Sequence, residues 1–237
     1  MMMRFKMVSG LALFAIPCAA HADLTAVYGM AAPNGPPFMT LEIAANGDIR
    51  GTMMSGGIAF IAHGGHAFVI LKGADGPIVS RVEDVATATS EQIAKIRPDM
   101  RARIAEQAGA LTLTLNGMRT VNGRTGDAYY IQQPDGTLSG QPWAVISHDP
   151  ELAPLARAMA DQFAMSMKLM GQAVPSAAFQ PMLDVLQKGA PILMTGIQLQ
   201  SVSDRPIPPS EFVLPAKPQT LDQVRQRGAN GGMRVGS

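Results

Sequence analysis

The sequence predicts an α+β fold: a curved antiparallel β-sheet, an open half-barrel, with helices covering its concave face. Three observations predict it. Short stretches of alternating apolar and polar residues before residue 84 are joined by turns too short for a parallel crossover. Two later stretches repeat apolar residues at helical spacing. Strand character returns after each of them, and an order of strands, helix, strands, helices and a final strand belongs to the α+β class.

Taken in order, Leu24, Ala26, Tyr28 and Met30 alternate with Thr25, Val27 and Gly29. After the turn at 33–37, Met39, Leu41 and Ile43 alternate with Phe38, Thr40 and Glu42. Asn46-Gly47-Asp48 closes a hairpin, because Asn-Gly accepts the positive φ angles of a tight primed turn. Strands follow at about 49–54, 57–63, 66–72 and 77–83, punctuated by Gly56-Gly57, Gly64-Gly65 and Ala74-Asp75-Gly76. Ser90 reads as the N-cap of a first helix carrying Ile93, Ile96, Met100 and Ile104, kinked or restarted at Pro98. Strands return at 111–115, 128–132 and 143–147. A second helix follows Asp149 and ends at Gly171, with Leu152, Leu155, Met159, Phe163, Met167 and Met170 on one face and Arg157, Asp161 and Lys168 opposite. A weaker third helix covers 176–187, and 192–203 reads as one long strand.

Residues 1–22 have the three parts of a secretory signal peptide: basic Arg4 and Lys6, the apolar run 8–16, and Ala20 and Ala22 at the positions signal peptidase reads. Cleavage is expected between Ala22 and Asp23, which places the mature protein in the periplasm. The run is far short of the ~20 residues that cross a bilayer. The organisation expected is therefore a signal peptide (1–22), one α+β domain (23–215) and a flexible C-terminal tail (216–237), rich in Gly, Gln and Arg with little to bury. The only cysteine, Cys18, leaves with the signal, so no disulfide supports the domain. The lead-in Ala15-Ile16-Pro17 is a poor one for lipid attachment at that cysteine.

Without Arg4 and Lys6, 17 basic residues face 18 acidic ones, a net charge of −1. That balance gives no reason to expect nucleic acid or an anionic membrane as partner. No segment of the mature chain is apolar enough to span a membrane. Oligomeric state is not readable from these patterns.

No catalytic or cofactor motif is present. The chain has no Gly-x-Ser-x-Gly nucleophile elbow, phosphate loop or dinucleotide fingerprint, so no cofactor and no enzymatic activity are expected. His63 and His66 flank Gly64-Gly65, and a two-residue turn there sets the imidazoles opposite each other. Two ligands do not make a zinc site, and no nearby acidic residue completes one. Of the mature chain's 13 methionines, Met159, Met165, Met167 and Met170 share one helix. Thioethers bind Cu(I), but they also make a deformable apolar surface, and that reading is preferred. Met165 and Leu169 project off the assigned core face. They are either an exposed patch or covered by the loop after Gly171 or by the third helix.

Several segments together resemble the exported bacterial domain-of-unknown-function family 4412. They are Leu24-Thr-Ala-Val-Tyr28, Asn46-Gly-Asp-Ile-Arg50, Val121 to Ile131, Leu199-Gln-Ser-Val202 and Phe212-Val-Leu-Pro215. That family looks related in architecture to periplasmic lipoprotein carriers, half-barrels with helices as a lid over an apolar concave face. The resemblance implies a cavity and no catalytic residues. The expectation is a non-enzymatic protein that binds a lipid, an acyl chain or a lipoprotein's anchor. Met39, Leu41, Ile43, Trp143, Met159, Phe163, Met167 and Met170 would line its cavity. The alternatives are a structural or interaction protein with a filled core and a low-affinity copper or zinc binder.

Overall fold

Alternation decides the first half of the molecule. In β1 (Leu24–Met30) and β2 (Pro37–Ile43), Leu24, Ala26 and Tyr28 pair across the ladder with Ile43, Leu41 and Met39, and all six side chains are buried on one face. The same face continues through β3 (Ile49–Met53), β4 (Ile58–His63), β5 (His66–Gly73) and β6 (Gly76–Arg81) as a run of hairpins. The computed structural model describes residues 23–32, 35–53, 57–96, 111–169 and 179–229. The expected signal peptide, Met170, and the stretch holding Pro98, Met100 and Ile104 lie outside the described residues.

Helix α1 (Val82–Ile96) leads out of the meander. Then come β7 (Thr112–Val121), β8 (Arg124–Gln132), β9 (Ala144–Ser147), α2 (Ala153–Leu169), α3 (Gln180–Leu186), β10 (Ala190–Met194), β11 (Ile197–Ser203) and α4 (Leu221–Ala229). Among the described residues the strands form one eleven-stranded antiparallel sheet, ordered β6-β5-β4-β3-β2-β1-β11-β10-β9-β8-β7 and not closed into a barrel. The first and last strands of the domain, β1 and β11, meet in its middle. The expected α+β class with an open curved sheet is what the molecule has.

Several boundaries differ from the sequence reading. Helix α1 starts at Val82, eight residues before Ser90, whose hydroxyl instead donates to Ala86 O within the helix at 2.8 Å. The β-branched Val82, Val85, Thr87 and Thr89 hide a helix whose buried positions, Val82, Val85 and Ala88, recur every three residues. Glu83 and Asp84 fall in its first turn, where the helix dipole favours negative charge. The single strand expected at 192–203 is a hairpin, turned at Thr195 (φ 46°) and Gly196 (φ 83°). Around Asn46 the turn is longer than a two-residue one: Ala44 N–H reaches Asp48 O, and only Gly47 takes a positive φ. Gly64-Gly65 is the two-residue turn expected, with His63 opposite His66.

Part of the stretch expected to be a flexible tail is ordered against the sheet. After β11 the chain crosses the face opposite the helices, where Glu211 reaches Arg50 of β3 and Phe212 is buried. The turn that carries Phe212 lies over β3 and β4 there, and Ile61 of β4 points to that side and is buried too. The strap then rounds the β6 edge, where Gln219 N–H donates to Val79 O at 2.8 Å. It ends in α4, packed on α1 with Val224 buried among Val69, Val85 and Ala88.

Candidate ligand-binding site

Helix α2 is the element that closes the middle of the sheet, and its start follows from local chemistry. Asp149 caps the preceding 3₁₀ turn, its Oδ1 accepting the Glu151 N–H at 3.1 Å. From there Leu152, Leu155, Ala158, Met159, Gln162 and Met165 form the buried stripe. Sequence spacing places Phe163 and Met167 on that stripe, yet they sit at its margin, half-buried. Met165, expected off the core face, is inside it, and Leu169 is partly buried, packed against two core clusters. The two residues therefore do not form the exposed patch that one reading of the spacing allowed.

The remaining predicted lining residues fall into two groups. Met39, Leu41, Ile43 and Met159 belong to the main core cluster, all buried. Trp143 is in a neighbouring cluster with Tyr129, Ile146 and Leu186, and its ring meets Phe163 edge-on with centroids 6.4 Å apart. Phe163 in turn stacks edge-on against Phe179, just before α3, so one aromatic chain ties β9, α2 and α3 together.

Sequence reasoning missed Gln162. The residue is 8 % exposed and sits in the apolar stripe one helical turn from Met159 and from Met165. Its Nε2 donates to Met39 Sδ at 3.1 Å and lies 4.0 Å from Met53 Sδ. Met39 and Met53 face each other across the β2–β3 ladder, which is why both thioethers reach one amide. The Oε1 atom is buried and has no hydrogen-bond partner among the described residues. A lone polar residue within an apolar helical face was the signal available in the sequence. Tyr28 is the second residue missed: its buried hydroxyl donates to Pro191 O at 2.7 Å, and burial pushes its pKa up.

Two surface clefts lie away from this interface. One, of about 650 Å³, is lined by the β7–β8 turn and residues 147–149. There His148 Nε2 pairs with Asp127 at 3.0 Å, and Arg124 pairs with Asp149. Ser147 is buried and its Oγ accepts the Asp149 N–H at 3.3 Å, while His148, the next residue on the chain, is exposed; this is not a nucleophile–base pair. The other cleft, of about 610 Å³, lies between the strap and the β2–β3 loop, lined in part by His63, Asp48 and Asp23. Asp23 accepts N–H bonds from Ile207 (2.7 Å) and Ala45 (2.8 Å), which hold its carboxyl below the usual range.

The folded chain brings an acidic residue to His63 that sequence order did not: His63 Nδ1 lies 2.7 Å from Asp48 Oδ2. His66 turns instead toward the ring of Phe68. Among the described residues no three His, Cys, Asp or Glu side chains come together to hold a metal, and no helix is long and apolar enough to cross a membrane.

No family model, curated protein or solved structure matches the chain. Asn122 Nδ2, in the β7–β8 turn, donates to Leu199 O of β11 at 2.8 Å, which ties that turn to the middle of the sheet.

Proposed function

We propose that the protein is an exported, non-enzymatic binder of an apolar ligand, in the periplasm, taking a lipid, an acyl chain or a lipoprotein's anchor between α2 and the sheet. The observation that carries this reading is the composition of that interface. Met39, Met53, Met159 and Met165 meet there around a buried amide whose oxygen is unpartnered. Unbranched thioether side chains change shape at low cost, so a helix seated on them can shift to admit a chain. The branched residues of the same cluster, Leu41 and Ile192 among them, yield less readily, so the displacement would fall on the methionines. The open sheet under a helical roof agrees with the lipoprotein-carrier architecture that the motifs suggest.

A second reading, a structural or interaction protein with a filled core, is favoured by the close burial of Leu41, Met159 and Ile192 in one cluster. Native mass spectrometry of protein purified from its own periplasm separates the two. A lipid-sized mass that leaves on denaturation supports ligand binding. A bare chain that also gains no mass when offered phospholipid or fatty amide supports the filled core.

A further inference from the structure

The most unusual group in the interior is the Gln162 carboxamide. Its N–H side is engaged by the Met39 thioether, which fixes the oxygen's direction within the helix–sheet interface. The backbone behind it is held as well, since Ser166 Oγ donates to the Gln162 carbonyl at 3.0 Å. A buried amide oxygen with no partner has lost its water and gained nothing, whereas an aliphatic side chain at this position would carry no such penalty.

We infer that Gln162 is the polar anchor of the binding site, the acceptor for a hydrogen-bond donor carried by the apolar chain that enters under α2. The inference rests on the ligand-binding reading above and narrows it to a ligand class. An acceptor surrounded by thioethers selects a neutral donor, a hydroxyl or an amide N–H. It offers an ionised carboxylate no counter-charge, and burying one there would leave that charge uncompensated. The site therefore takes an alcohol- or amide-bearing chain in preference to a free fatty acid held by its carboxylate. Hydroxyl-bearing lipids and amide-linked acyl chains share this chemistry.

The test displaces a dansyl-labelled alkylamine from the folded mature protein with hexadecanol and with its methyl ether, which differ by the donor hydrogen and one methyl group. Wild type should bind the alcohol about tenfold more tightly, the worth of one hydrogen bond. Gln162→Met should bind both alike, at the affinity of the ether. Equal binding of alcohol and ether by wild type overturns the inference while leaving the ligand-binding reading intact, and that comparison needs no variant to fold. A preference for alcohol that survives in a folded Gln162→Met also overturns it. If wild type binds neither compound nor the dansyl probe, the ligand-binding reading itself fails.

Discussion

The two faces of the sheet are closed by different chemistry. On one face α2 covers a largely branched aliphatic cluster, into which methionines and a lone amide, side chains with many rotamers, are set. On the other, the strap crosses β3 and β4 as a proline-rich segment, with prolines at 206, 208, 209, 215 and 218. Prolines fix φ and leave that segment few alternatives. It is pinned by Glu211 to Arg50, by Asp23 to the Ile207 N–H, and by Phe212 inserted into the core. An open sheet has two faces to cover, and here the two covers differ in kind. The strap also shields the β6 edge, where Gln219 takes a ladder position that would otherwise be an unpaired strand edge. At the opposite edge, β7 is instead broken by an irregularity between Leu115 and Met118 with Gly117 at φ 76°, a bulge that blunts pairing with another chain.

The contrast can be broken most forcefully on the strapped side. Phe212→Ala should cost about 3–5 kcal/mol of folding stability by urea denaturation, because a buried aromatic leaves a cavity that a proline-rich segment cannot collapse into. A loss under about 1 kcal/mol would mean that the strap is dispensable. Next in size is Tyr28→Phe, which leaves the Pro191 carbonyl unsatisfied and should cost about 1–3 kcal/mol. The methionine side should yield far less: Met159→Leu nearly conserves volume, so its effect should stay under about 1.5 kcal/mol, although Met159 is as buried as Phe212. A larger loss would show a jigsaw core where a compliant one is claimed.

The smallest effect concerns pH. The Asp23 carboxyl is held low by the Ile207 and Ala45 N–H groups, so its stabilisation is fully present above the ordinary carboxylate pKa. That contribution disappears as pH falls through the lowered folded value. Melting curves of wild type and Asp23→Asn should be separated at neutral pH and converge in acid. A gap that stays constant with pH would exclude this role.

Much of the fold was legible because β-strand alternation is a local signal. Tyr28, Met39 and Leu41 declare their face within a few residues, and Gly64-Gly65 declares its turn. What escaped depended on distant partners. Helix α1 was hidden by β-branched residues that a helix tolerates once Val82, Val85 and Ala88 find a surface to bury against. Residues 221–229 have little apolar content of their own, and Val224 with Leu221 secures α4 against a cluster supplied largely by α1 and β5, helped by the Arg225–Glu91 pair. On α2 an average helical wheel drifted toward Phe163 and Met167. The observed stripe runs through Gln162 and Met165, a choice made by the thioethers of β2 and β3 beneath them. The candidate site was thus half visible: Met39 and Met159 could be named from spacing, whereas Met53, Met165 and the Gln162 amide join the site through the packing of α2 on β2 and β3.

The central claim is that an apolar chain enters beneath α2, and the protein carries its own reporter for it. Trp143 is the only tryptophan in the chain and lies against Phe163 of α2. Energy transfer from Trp143 to a dansyl-labelled alkylamine should rise to saturation at one probe per folded protein and fall when unlabelled hexadecanol is added. Transfer that never saturates, in protein that circular dichroism shows to be folded, would contradict the claim and leave the helical face a filled core.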